Sequence, residues 1–192
     1  YLFILILFSS FNPQTENENL FEKLKTLRLK VLQQNIIGKE FQYDLVKNDR
    51  CNKTKIKYLG SVTTNRNKQY KILSSFFVHG NSCRGTTRIV IFNISNQYIG
   101  NYKLGMPDEI PDTLINNDLV FLKGTKDCNS RKGKSIQFRY GLPKTILIPC
   151  SESKTTLTSD KYSFSNEEWT KNLCITRYTQ DGCIVVCETV FQ

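Results

Sequence analysis

The run Thr87-Arg-Ile-Val-Ile-Phe-Asn-Ile94 decides the fold, because Ile89, Val90, Ile91 and Phe92 follow one another without a polar residue. Four consecutive apolar residues, two of them β-branched Ile and one Val, read as a strand over residues 87–94 that is covered on both faces. A strand with two buried faces needs a layer on each side. The chain must therefore supply neighbouring strands and something to lie on them.

Working outward, residues 69–78 form a long strand candidate that ends at His79-Gly80-Asn81-Ser82. On the other side, Asn96 turns the chain into residues 98–103, where Gly100 interrupts Tyr98-Ile-Gly-Asn-Tyr102. A glycine inside a strand marks a bulge or a close backbone approach. Residues 40–47 alternate, with Phe41, Tyr43 and Leu45 on one face, and residues 55–62 follow after Asn48-Asp49-Arg50. Further strands are expected at 118–123, 135–140 and 145–149, beyond a loop bracketed by Pro107 and Pro111. Ser165-Asn-Glu-Glu168 has the pattern of a capping box and predicts a helical turn carrying Trp169.

Before the strands, residues 18–36 read as an amphipathic helix. Leu20, Leu24, Leu27 and Val31 make an i, i+4, i+7, i+11 stripe beside Phe21 and Leu32, and Gly38 lies where the helix should end. Such a helix packs on a sheet or, if its stripe stays open, lies on a membrane. Packing is the favoured reading.

The first residues, Tyr1 to Phe8, are an unbroken apolar run followed by Ser9 and Ser10. A secretory signal has an apolar core of about 7–15 residues and small residues at its cleavage point. The run suits that core and is too short for a bilayer, which needs roughly 20 apolar residues. Residues 1–17 are accordingly read as a partial signal peptide and linker. Residues 18–192 are read as a single mainly β domain: an antiparallel β-sandwich or part-closed barrel with one N-terminal amphipathic helix.

Seven cysteines suit an oxidising compartment. The final segment is a hairpin around Thr179-Gln180-Asp181-Gly182, in which Asp-Gly is a strong turn signal. If Gln180 and Asp181 are the tip, Cys174 falls opposite Cys187; if Asp181 and Gly182 are, Thr176 takes that place. Cys174, Cys187, Cys128 and Cys150 are the disulfide candidates, with connectivity left open. No CxxC is present and the chain has one His, so no metal site or cofactor is expected.

With 27 Lys and Arg against 17 Asp and Glu, the net charge is +10. Such a charge favours acidic partners, although scattered basic residues also serve solubility. The stretch from His79 to Arg88 is the most suggestive: the only His, Cys83, Arg84 and Arg88 flank two glycines. A Cys–His nucleophile pair matches no motif here, and an exported Cys is more often bonded. Anion binding by backbone N–H groups and guanidinium is the better reading. Tyr98 and Tyr102, with Phe138, are expected to add an aromatic face.

Other chemistry finds less support. Asp108, Glu109, Asp112 and Asp118 could bind Ca²⁺ but lack the ligand alternation of a calcium loop. Asp160, Glu167 and Glu168 are available for glycoside hydrolysis without a pattern that selects them. No G-x-S-x-G or dinucleotide fingerprint occurs. The sequons at Asn52 and Asn93 are near what chance supplies in so Asn-rich a chain.

Residues 70–80, 84–93 and 97–102, with Ser135-Ile-Gln-Phe138 and Gly141-Leu-Pro-Lys-Thr-Ile-Leu-Ile-Pro-Cys150, resemble short exported proteins of unknown function in Bacteroidota. The resemblance implies a periplasmic or outer-surface location and brings no activity. The expected function is an exported cell-envelope binding or interaction module for an anionic envelope component or polysaccharide. His79, Arg84, Arg88, Tyr98 and Tyr102 are its candidate ligand-binding residues. Neither nucleic acid nor a transmembrane span is expected. The alternative is a secreted hydrolase acting on envelope or extracellular polymers.

Overall fold

A computed structural model describes residues 14–79, 82–105, 107–123, 133, 135–150, 158–165, 172–179 and 182–189. The proposed signal run and Cys128, Trp169, Glu167 and Glu168 lie outside them.

The order of elements is one helix followed by strands: α1 (Gln14–Gln34), β1 (Glu40–Asp44), β2 (Lys53–Thr63), β3 (Gln69–His79), β4 (Arg84–Asn93) and β5 (Tyr98–Leu104). A short 3-10 turn, Pro107–Glu109, leads to β6 (Thr113–Ile115), β7 (Asp118–Val120) and β8 (Ser135–Gln137). The chain continues through β9 (Thr145–Cys150), β10 (Thr158–Ser165), β11 (Asn172–Thr179) and β12 (Gly182–Thr189).

Seven strands make one antiparallel sheet in the order β1-β2-β3-β4-β5-β10-β9. Its edges, β1 and β9, do not meet among the described residues, so the sheet is open and no barrel closes. Strands β6, β7 and β8 form a small antiparallel sheet, and β11 pairs with β12.

The run Ile89–Phe92 is buried on both faces as its composition predicts. Ile89 and Ile91 join Leu59, Val62, Ile72 and Tyr102 in a core that includes Leu119, Phe121, Ile136 and Phe138 from the small sheet and the loops beside it. Val90 and Phe92 join Leu73 and Phe77 beneath Leu24, Val31 and Leu32 of α1. The architecture is therefore helix, large sheet, small sheet.

The helix starts and ends earlier than its stripe suggests. Asn35 takes a left-handed φ of 52° and its N–H donates to the Leu32 carbonyl at 3.2 Å, closing the last turn. Ile36 and Ile37 then leave the helix; Ile37 bridges Tyr58, and the Gly38 N–H donates to the Tyr58 carbonyl at 2.8 Å. The buried stripe contradicts the membrane-lying alternative. No helix among the described residues is long and apolar enough to cross a membrane.

Two bulges reset which face a side chain occupies. In β2 the register slips between Tyr58 and Gly60, so Tyr58 faces α1 while Leu59 and Val62 both face the small sheet. In β5, Gly100 pairs with Ile91 and Tyr98 with Phe92, leaving Ile99 as the extra residue. Gly100 also sits against β10, where a Cβ would lie 2.6 Å from the Ser165 carbonyl oxygen.

Strand β10 ends at Ser165, and the helical turn expected after Ser165 lies outside the described residues. That strand was not anticipated, because its Thr-Ser-Asp-Lys opening has no apolar alternation.

Candidate functional site

Antiparallel pairing brings the end of β3 beside the start of β4. His79 is the register partner of Arg84, and Ser75, Arg88 and Lys103 form a rank across β3, β4 and β5. Phe77, Val90 and Phe92 set the parity of these strands, since they lie in the core under α1. His79, Arg84, Arg88 and Lys103 thus share the helix-side face of the sheet.

His79 is half-buried, its ring stacked on Phe77 with centroids 4.8 Å apart and planes 14° apart. Its Nδ1 is buried without a hydrogen-bond partner among the described residues. Desolvation, then the nearby charges of Lys103 and Arg84, holds the imidazole below its ordinary pKa. Arg84 is the cross-strand register partner of His79, and Lys103 lies on the same face beyond Arg88. Both are exposed, and among the described residues no ion pair reaches either.

Arg88 is positioned by a side chain the sequence reading missed. Its Nη1 donates to Asn101 Oδ1 at 2.8 Å, and Asn101 Nδ2 donates to the Tyr98 hydroxyl at 2.6 Å. Asn101 is only 1% exposed. Asn101 and Lys103 could have been found from strand alternation in β5 only if the bulge at Ile99 had been known.

Tyr102 does not belong to this face. It is fully buried in the opposite core, where its hydroxyl donates to the Pro143 carbonyl at 2.5 Å and burial pushes its pKa up. Phe138 is buried in the same core. The expected aromatic face of Tyr98, Tyr102 and Phe138 is not formed, because the extra residue at Ile99 places Tyr98 and Tyr102 on opposite sides of the sheet.

A disulfide closes the turn next to the basic cluster. Cys51 and Cys83 are bonded, with Cα atoms 4.8 Å apart. Cys51 precedes β2 and Cys83 precedes β4, and the meander β2-β3-β4 starts both at the same end of the sheet. Asp49 Oδ1 accepts the Cys51 N–H at 2.7 Å, and Asp49 Oδ2 accepts from Asn52 Nδ2 at 2.5 Å, which shapes the loop before β2. Cys83 is therefore a structural half-cystine and no nucleophile for His79.

On the opposite face, Lys57, Ser74, Pro107, Ile110 and Phe121 line a groove of about 330 Å³. Its acidic neighbours are engaged: Asp112 Oδ2 accepts the Leu122 N–H at 2.8 Å, Glu109 Oε2 accepts the Gly105 N–H at 2.7 Å, and Glu40 pairs with Lys55 at 3.1 Å. Glu109 and Asp112 of the acidic loop considered for Ca²⁺ are thus held by backbone amides of the flanking segments. Among the described residues no group of three or more His, Cys, Asp or Glu could hold a metal ion.

The chain matches no protein-family model, no curated protein and no solved structure.

Proposed function

We propose that this protein is an exported, disulfide-stabilised binding module that takes an anionic group on the helix-side face of its sheet, at His79, Arg84, Arg88 and Lys103. The observation that carries the reading is the register that sets His79 opposite Arg84 and Arg88 opposite Lys103 on one face, beside an imidazole Nδ1 without a hydrogen-bond partner among the described residues. Cations gathered on one face raise the local concentration of anions and give them charge-assisted hydrogen bonds. The half-buried Arg88, held to Asn101, supplies a guanidinium of set orientation. The net charge of +10 acts in the same direction.

Export is supported by the Cys51–Cys83 disulfide, since such bonds persist mainly in oxidising compartments. The apolar run before residue 10 and the resemblance to exported Bacteroidota proteins favour the same location. The ligand is then an anionic component of the cell envelope or an acidic polysaccharide.

The test is titration with inorganic phosphate and with a uronic-acid polysaccharide at low and high salt, using wild type and the Arg84→Ala and Lys103→Ala variants. Binding should weaken with salt and with each substitution. Affinity indifferent to both would overturn the proposal, and release of shortened polymer would favour the hydrolase instead.

A further inference from the structure

We infer that Cys174 and Cys187 are joined by a cross-strand disulfide that staples the β11–β12 hairpin. The inference rests on backbone register. The strands are antiparallel, Thr179 pairs with Gly182 at the turn, and Cys174 pairs with Cys187. Of the two registers compatible with the sequence, this is the one that sets the two cysteines directly opposite each other.

The parity of the pair matters as much as its register. In a hairpin with a two-residue loop the closing pair is hydrogen-bonded, and hydrogen-bonded and non-hydrogen-bonded pairs alternate from there. Thr179–Gly182 is the closing pair, so Cys174–Cys187, five steps away, is non-hydrogen-bonded. Opposed Cα atoms at such a pair approach to about 4.5 Å. That lies within the roughly 4.4–6.8 Å a disulfide spans. Cys183 is opposite Tyr178 and has no cysteine across from it.

There is also a reason for the bond. Among the described residues β11 and β12 pair with each other and with no other strand. A two-stranded hairpin alone is marginal in water. A covalent link near its open end removes unfolded conformations that the short ladder cannot outweigh. Formation takes two thiols to one disulfide, with two electrons and two protons passing to the disulfide of an exchange partner in the exporting compartment, which is reduced to its dithiol.

The test is peptide mapping of protein recovered from an oxidising compartment, alkylated before digestion and compared with and without reduction. Trypsin cuts after Lys171 and Arg177, which separates Cys174 from Cys187. Without reduction, the peptide of residues 172–177 should be linked to that of residues 178–192, and fragmentation should place the link at Cys187. The link should survive Cys183→Ser and vanish in Cys187→Ser. Fragmentation of the wild-type linked peptide gives the answer even if a variant fails to fold. Free, alkylated Cys174, or a link from it to Cys183 or any other cysteine, would overturn the inference.

Discussion

The imidazole of His79 lies flat on the ring of Phe77, with centroids 4.8 Å apart and planes 14° apart. Phe77 in turn meets Phe21 of the helix edge-on at 6.3 Å. The group with the lowered pKa is thereby coupled to the core under α1, and its protonation state bears on both stability and anion binding.

His79 is held below its ordinary pKa by desolvation and by Lys103 and Arg84, so the folded state binds fewer protons than the unfolded chain. Its contribution to stability is complete above the unfolded value of about 6.5. It is lost as pH falls from there through the folded value. His79→Gln should flatten the dependence of the thermal midpoint on pH across this window. A steeper decline in the variant than in wild type would refute this assignment.

A bound anion favours the protonated ring, so phosphate should raise the His79 pKa. Its affinity should then increase as pH falls. Imidazole proton shifts followed through a pH titration, with and without phosphate, check the direction.

Asn101→Ala removes both the acceptor of an Arg88 hydrogen bond and the donor to Tyr98 from a buried position. Losing these should cost about 1–3 kcal/mol in denaturant unfolding. Anion affinity should fall as well, since the Arg88 guanidinium loses the side chain that orients it. Unchanged unfolding would mean that the amide carries no such role.

Replacing Cys51 and Cys83 together by Ser opens a link between residues 32 apart in sequence. Chain-entropy reasoning puts the loss at about 3–4 kcal/mol. Each single substitution should cost nearly as much as the double one. Thermal unfolding of the three variants measures this.

Gly100→Ala pushes a methyl group against the ring of Phe164 and the Ser165 carbonyl oxygen. The ring can shift, but the backbone cannot without disturbing the join of β5 and β10, which rests on two register pairs. Overpacking of this kind costs about 1–3 kcal/mol. Phe164→Leu should rescue only part of it, and full rescue would show that the backbone contact is unimportant.

Much of the fold was legible in particular residues. The stripe Leu20, Leu24, Leu27 and Val31 marked the helix because 3.6-residue periodicity and burial coincide there. Gly100 announced both a bulge and a close approach, and both are present. Less of the candidate site could be read. His79, Arg84 and Arg88 stood out by residue type, whereas Asn101 and Lys103 belong with them only through cross-strand pairing. Strand β10 alternates only over its last four residues, Tyr162-Ser-Phe-Ser165, which is too short to mark it.

By itself the sequence determined the layered, mainly β architecture, because Ile89–Phe92 can be satisfied only by cover on both faces, and α1 and the small sheet provide it. Tertiary structure alone decided which side chains meet. One extra residue in β5 separates Tyr98 from Tyr102, and the meander brings Cys51 to Cys83 across 32 residues. The physical reason is that composition and periodicity act over a few residues along the chain. A bulge inverts every face beyond it, and contacts between strands depend on a register that local pattern does not encode.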